Sequence, residues 1–228
     1  MKKILTVLVA AVMVISLTVA APLGAFTWDF TYDYGDGGYT SPYAAATVIT
    51  FDSDLPAGWS IGGNYAIRTG SISDAAAPWW DNYNTPPGAR DLTKYLTVPV
   101  NVSQSPQSAT ITFGASYNDY FGLWWGSMDT YNTFEFLAED STTVVATVLG
   151  TTFSSGSGAQ DSSETNKYVN FYGLPNFYGV RITSTQYAFE LDNIAVGQNI
   201  NPVPIPAAVW LLGSGLLGLV GIRRRFKK

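Results

Sequence analysis

Apolar and polar residues alternate along much of the central chain. In Ser108–Phe113, Ala109, Ile111 and Phe113 fall on one side while Ser108, Thr110 and Thr112 fall on the other. In Thr130–Leu137, Phe134 and Phe136 oppose Thr133 and Glu135. A period of two sends successive side chains to opposite faces, so each segment predicts a strand with one buried face. Runs rich in Val, Ile, Thr, Tyr, Phe and Trp predict further strands at Ala46–Phe51, Tyr65–Arg68, Lys94–Val100, Tyr120–Trp125, Thr143–Leu149, Lys167–Tyr172, Tyr178–Thr183 and Tyr187–Val196. No stretch of the body keeps a 3.6-residue apolar period over helical length. Short strands separated by Gly, Asn, Asp, Ser and Pro predict an all-β fold, an antiparallel β-sandwich of jelly-roll-like type.

One strand breaks its own rhythm. Tyr187, Phe189 and Leu191 alternate, but the next apolar pair is Ile194 and Val196. A three-residue step predicts a β-bulge at Asp192–Asn193 that returns the core face after one extra residue. Gly35–Gly38, Ser154–Gly158 and Asp161–Ser163 read as loops. Ala75–Asp91 reads as a long Pro-rich loop, a kind of segment that often carries function.

The two ends follow a different pattern. Lys2 and Lys3 precede an apolar stretch, Ile4 to Ala21, and small residues follow. That layout predicts a secretory signal peptide over residues 1–25, or else an uncleaved anchor; cleavage after Ala20 leaves small residues Thr18 and Ala20 before the cut, cleavage after Ala25 leaves the less suitable Leu23, and cleavage after Ala21 is disfavoured by Pro22. At the other end, Pro206–Ile222 is 17 residues without a charge. As a helix it spans about 25 Å, near the minimum for a bilayer. Arg223, Arg224, Arg225, Lys227 and Lys228 follow at once, and such a cluster stays cytoplasmic. The expected organisation is therefore signal peptide 1–25, extracellular β-sandwich 26–200 and a membrane-sorting tail 201–228.

Charge sharpens this division. Seven of the 12 basic residues lie in the terminal segments, while all 17 acidic residues lie between them. Five basic residues against 17 acidic ones leave the body at −12. Such a surface repels nucleic acid and anionic lipid, so a nucleic-acid partner is excluded. There is no cysteine and no histidine. An exported domain of this kind holds together by its core, or by core plus metal. Ser–His and Cys–His nucleophiles and the usual zinc ligand are absent as well.

The tail residues Val203-Pro204-Ile205-Pro206, followed by AAVWLLGSGLLGLVGIRRR, resemble a PEP-CTERM sorting signal of the VPxP variant. The class has a short Pro motif, an apolar helix and an Arg-rich end, in that order; its central acid is Ile205 here. The resemblance implies an exosortase as partner, processing near Val203, Pro204 and Pro206, and orientation by Arg223–Arg225. It also implies transient membrane attachment and delivery to the surface or exopolysaccharide matrix of a Gram-negative bacterium. In the body, TKYLTV, YFGLWWGSMDTYNTFEFL and KYVNFYGLPNFYGVRITSTQYAFELDNIAV resemble an exosortase-dependent surface-protein family, for which no chemistry is implied. The closing FELDNIAV is similar to the last strand of many carbohydrate-binding jelly rolls. That similarity implies a structural calcium ion near Asp192.

Without the resemblance, the tail reads equally well as a plain anchor that is never cut. The Pro residues keep the motif extended and short of backbone donors, as a protease cleft requires. Aromatic rings suit the apolar faces of sugars. Trp79, Trp80 and Tyr83 in the Pro-rich loop, with Trp125, are the candidate glycan contacts; the alternative is that these rings cap the core. One of Trp124 and Trp125 is expected in the core and the other towards solvent or a loop. Asp33, Asp36, Asp52 and Asp54 are loop carboxylates of the type calcium takes. Glu135 and Glu190 would serve a glycosidase only if their carboxyls converged. Asn101-Val102-Ser103 matches a glycosylation acceptor. The expected role is a non-enzymatic surface or matrix protein that binds polysaccharide. A structural or adhesive protein without a sugar ligand and a carboxylate-based hydrolase are the alternatives.

Overall fold

The computed structural model describes residues 26–31, 40–80, 89–153 and 158–200, with Trp80 and Ala89 described by their backbone alone. The signal peptide, the sorting motif Val203–Pro206, Arg223–Arg225, Asp33, Asp36 and Tyr83 lie outside these residues. Among the described residues there is no α-helix, and no helix long and apolar enough to cross a membrane.

Among the described residues fourteen strands form in chain order. They are β1 (Thr27–Thr31), β2 (Thr47–Ile49), β3 (Ser60–Gly63), β4 (Ala66–Thr69), β5 (Trp79–Trp80), β6 (Ala89–Arg90) and β7 (Lys94–Val98). The second half adds β8 (Ser108–Thr112), β9 (Asn118–Gly126), β10 (Asn132–Leu137), β11 (Val144–Leu149), β12 (Lys167–Phe177), β13 (Gly179–Ser184) and β14 (Phe189–Gly197). A seven-stranded sheet runs β1-β12-β9-β14-β7-β4, with β2 also paired to β14. A five-stranded sheet runs β11-β10-β13-β8-β3. Every pairing is antiparallel. From β7 to β10 successive strands alternate between the sheets, and β12, β13 and β14 do so again. Each connection therefore passes over the end of the sandwich.

The core lies where the alternation puts it. Phe121, Leu123 and Trp125 of β9, Val169 and Phe171 of β12, and Phe189 and Leu191 of β14 point inward from the larger sheet. Ile111, Phe134, Phe136, Val180 and Ile182 meet them from the smaller sheet. Trp125 stands at 5.0 Å from both Phe134 and Phe189, ring centre to ring centre. Such edge-on and tilted pairs add to plain area burial.

The expected bulge is present. The register of β14 against β9 shifts between Asp192 and Ala195, and Asn193 takes the left-handed conformation at φ 49°. Asp192 thereby stays on the outer face while Ile194 returns to the core.

The outer face of the larger sheet differs from expectation. Its polar positions are not solvated. Tyr95, Tyr120, Tyr168, Asn170, Tyr172, Glu190 and Asp192 are all 2% exposed or less. The chain around Tyr43–Val48 packs on Tyr120, Tyr172 and Ala195, and Ala75 and Ala77 pack on Tyr95. This sheet is thus covered on both sides, and the loop read over Ala75–Asp91 is partly the short hairpin β5–β6.

Candidate functional site

The outer face of the larger sheet carries a lattice of paired polar groups. Opposed positions bring Tyr172 to Tyr120, Asn170 to Gly122, and Tyr168 to Trp124, with Asp192 next across from Trp124. At one end, Asp29 Oδ1 accepts from Tyr172 Oη–H at 2.8 Å and from Asn170 Nδ2–H at 2.9 Å. Tyr120 Oη–H donates to Asn170 Oδ1 at 2.7 Å, and Ser41 Oγ stands 2.8 Å from the same hydroxyl. Gly122 makes the lattice sterically feasible. A Cβ there would sit 2.4 Å from Tyr120 Oη and 2.8 Å from Tyr168 Oη. Burial raises the Tyr120, Tyr168 and Tyr172 hydroxyls well above their ordinary values, so they act as neutral donors and acceptors.

The other end is built around Glu190. Its Oε1 accepts from the Ala76 N–H at 2.9 Å, and its Oε2 from Ser127 Oγ–H at 2.6 Å. Asn166 Oδ1 accepts from the N–H groups of both Trp79 (3.1 Å) and Ser127 (3.0 Å). Arg90 Nη1 donates to the carbonyls of Ala77 (2.9 Å) and Gln160 (3.1 Å). These bonds strap the segment 71–80 over the sheet. Burial pushes the Glu190 carboxyl up to about 8, against the lowering effect of its two donors. A carboxylic acid is thereby held largely protonated at neutral pH.

Between these ends lies a group of carboxyls. Asp192 is 2% exposed and Asp91 1% exposed. The two carboxyls come within hydrogen-bonding reach of each other, and Asp52 adds to the negative field on Asp192. Burial, with both neighbours adding to it, pushes Asp192 up to about 9. Asp91 Oδ1 accepts from the Thr93 N–H at 2.7 Å and also from the Thr93 hydroxyl. Asp52 Oδ1 accepts from the Lys94 N–H at 3.0 Å. Oδ1 of Asp192 has no hydrogen-bond partner among the described residues. A groove walled by Asp52, Asp54, Thr69 and Lys94 opens beside Asp52. Among the described residues no set of three or more His, Cys, Asp or Glu converges closely enough to hold a metal ion.

The aromatic candidates divide. Trp125 is 0% exposed and belongs to the central core, so it offers no ring to a sugar. Its neighbour Trp124 is also buried, packed on Tyr168, because this sheet is covered on its outer side too. Trp79 is 8% exposed, with its backbone tied to Asn166 and Arg90. The side chains of Trp80 and Tyr83 lie outside the described residues. Glu135 and Glu190 do not converge. Glu135 projects from the outer face of the smaller sheet, where it binds Arg181 at 2.7 Å, while Glu190 lies on the outer face of the larger one. Two stacked sheets, about 10 Å apart, separate them. Asp29, Asn166, Ser127 and Asp91 were not singled out by sequence reasoning. Each is a short polar residue whose role comes from a partner distant in the chain.

No family model and no curated protein matches this chain. Among solved structures it is similar to the enzymatically active domain of tailspike protein 4 of bacteriophage CBA120, at 15% identity and a TM-score of 0.30. The likeness covers 65% of this chain and only 20% of the tailspike chain, and at that degree it carries no statement about activity.

Proposed function

We propose that this chain is an exported surface or matrix protein, sorted through its tail by an exosortase and acting without catalysis. One observation carries the reading: a Pro motif at Val203–Pro206, an uncharged run to Ile222 and the cluster Arg223–Arg225 follow one another without interruption. The end of the folded part supports it. β14 closes at Gly197, and the side chain of Ile200 is still packed against Tyr120 and Tyr172. The sorting motif thus starts just where the sandwich finishes. The alternation of strands between sheets fits a jelly-roll path. The N-terminal apolar segment would open the route through the membrane, and the C-terminal one would hold the protein there until it is cut. Mass spectrometry of the surface fraction from the native host tests this. Peptides ending close to Pro206, with none from Arg223–Lys228, are expected; an intact Arg-rich end in surface protein contradicts processing.

A saccharide contact is a second reading, supported by Trp28. Its ring is 41% exposed and is propped by Phe153 at 4.8 Å and Phe30 at 5.2 Å. A held aromatic face at a sheet edge suits the apolar side of a pyranose. Retention on a gel carrying the host polysaccharide, lost in Trp28→Ala, is the expected result. Equal retention of that variant removes the reading.

A further inference from the structure

We propose that a cleft at one end of the sandwich, walled by Trp59, Asn118 and Gln198, binds a short stretch of a neutral saccharide chain. The cleft lies apart from Trp28, whose strand β1 is separated from β14 by β12 and β9. Neither the sorting of the protein nor a sugar at Trp28 is needed for it.

Local sequence builds the aromatic wall. Pro56-Ala57-Gly58-Trp59 closes a turn in which the Trp59 N–H donates to the Pro56 carbonyl at 3.0 Å. Gly58 has φ 83°, as the third residue of a type II turn requires. The turn delivers Trp59 to Phe113, and the two rings meet edge-on at 5.0 Å and 74°. Trp59 is only partly buried: it packs on the core from one side and lines the cleft as well. A ring already held in place loses little freedom when a ligand stacks on it.

Polar groups surround this ring. Asn118, the first residue of β9, is 6% exposed. Its one hydrogen bond among the described residues runs from Nδ2–H to the Ser116 carbonyl at 3.4 Å. An amide has two donors and an acceptor, and buried polar groups are normally paired, so most of this one's capacity is unspent. Gln198, just past β14, donates from Nε2 to the Tyr117 carbonyl at 2.8 Å. That bond orients the amide and leaves its oxygen and second N–H for a ligand. Thr47 and Ser116 add hydroxyls at the exposed rim.

The lining selects the class of ligand. No residue of the cleft is charged, in a body that holds 17 acidic and five basic residues. An uncharged lining gives no counter-charge to a phosphate, a carboxylate or a metal ion. A pyranose has an apolar C–H face for the Trp59 ring, and hydroxyls that both donate and accept, as amides do. The volume of about 380 Å³ is at the small end for ligand sites and suits a few sugar units entering from the open rim.

The test is titration calorimetry of the full chain, in a detergent without a sugar headgroup, with cellotriose, laminaritriose and mannotriose. Trigalacturonate serves as the anionic counterpart. At least one neutral trisaccharide is expected to bind with a Kd of about 0.1–1 mM, and trigalacturonate about tenfold more weakly or worse. Trp59→Leu, which keeps apolar packing on Phe113 but removes the aromatic plane, should weaken binding about tenfold. Gln198→Ala, at an exposed position, should weaken it about fivefold. Asp140→Asn, an exposed carboxylate in the β10–β11 turn, should leave it unchanged. Should Trp59→Leu fail to fold, Gln198→Ala decides alone. Failure of all three neutral trisaccharides to bind at about 10 mM, equal binding of trigalacturonate, or full affinity in Gln198→Ala overturns the site. Loss of binding in Trp28→Ala with both cleft variants unaffected would put the sugar on β1 and overturn the cleft alone.

Discussion

Ser127 Oγ–H meets Glu190 Oε2 at 2.6 Å, joining the end of β9 to the outer face of β14 beneath the strap. The same carboxyl holds the Ala76 N–H, so one buried acid ties a sheet strand to the segment that covers it. Ser127→Ala would leave an enclosed oxygen without its donor. A loss of about 1–3 kcal/mol is expected in denaturant unfolding. Glu190→Gln, a neutral isostere, should cost less near neutral pH because the native acid is itself mostly protonated there.

The pH dependence follows from Glu190 and Asp192. Both carboxyls are raised by burial, from 4.5 to about 8 and from 3.8 to about 9. Between the ordinary and raised values the folded state holds protons that the unfolded chain has lost. Their stabilisation is thus fully present below about pH 4 and is lost as pH rises through 8–9, at most about 1.4 kcal/mol per pH unit for each group. Melting temperatures should fall from pH 5 to pH 9, and Glu190→Gln should flatten the curve. A Tm that climbs over this range contradicts the assignment.

Gly122 is required for close approach. Gly122→Ala should cost about 1–3 kcal/mol, since both tyrosine hydroxyls are tied by hydrogen bonds and cannot swing away freely. Adding Tyr120→Phe removes the nearer oxygen and should recover part of the loss. A double-mutant cycle with no coupling would show that the clash is relieved elsewhere.

Trp125 serves the core and not a ligand. Trp125→Ala should destabilise by about 3–5 kcal/mol, through the void left among Phe134, Phe153 and Phe189. Its expected signature is a lower unfolding midpoint with polysaccharide retention unaltered under conditions where the variant is folded.

Much of the sandwich was legible because alternation reports one buried face directly. Ala109, Ile111, Phe134 and Phe136 all point where their period places them, and the Leu191–Ile194 step revealed the bulge. β1 and β3 were missed: TWDFT is brief, and SIGG is half glycine. The larger error was chemical. Glu190 and Asp192 stand at polar positions of a strand, which ordinarily means solvent. Here the strap reaches Glu190 from 114 residues away in the chain, and no local pattern encodes that cover. Trp124 and Trp125 misled for the same reason, since a sheet buried on both sides leaves neither ring outside. The carboxyl group at Asp52, Asp91 and Asp192 is likewise assembled by tertiary structure from single acids spread over the chain.

The most direct measurement of the central claim is the C-terminal mass of the protein recovered from the surface of its native host, compared with a strain lacking the exosortase. A chain cut near Pro206 in the first and an intact Arg223–Arg225 end held in the membrane of the second is the predicted pair. Surface protein that keeps its Arg-rich end, or identical masses in both strains, would contradict the account.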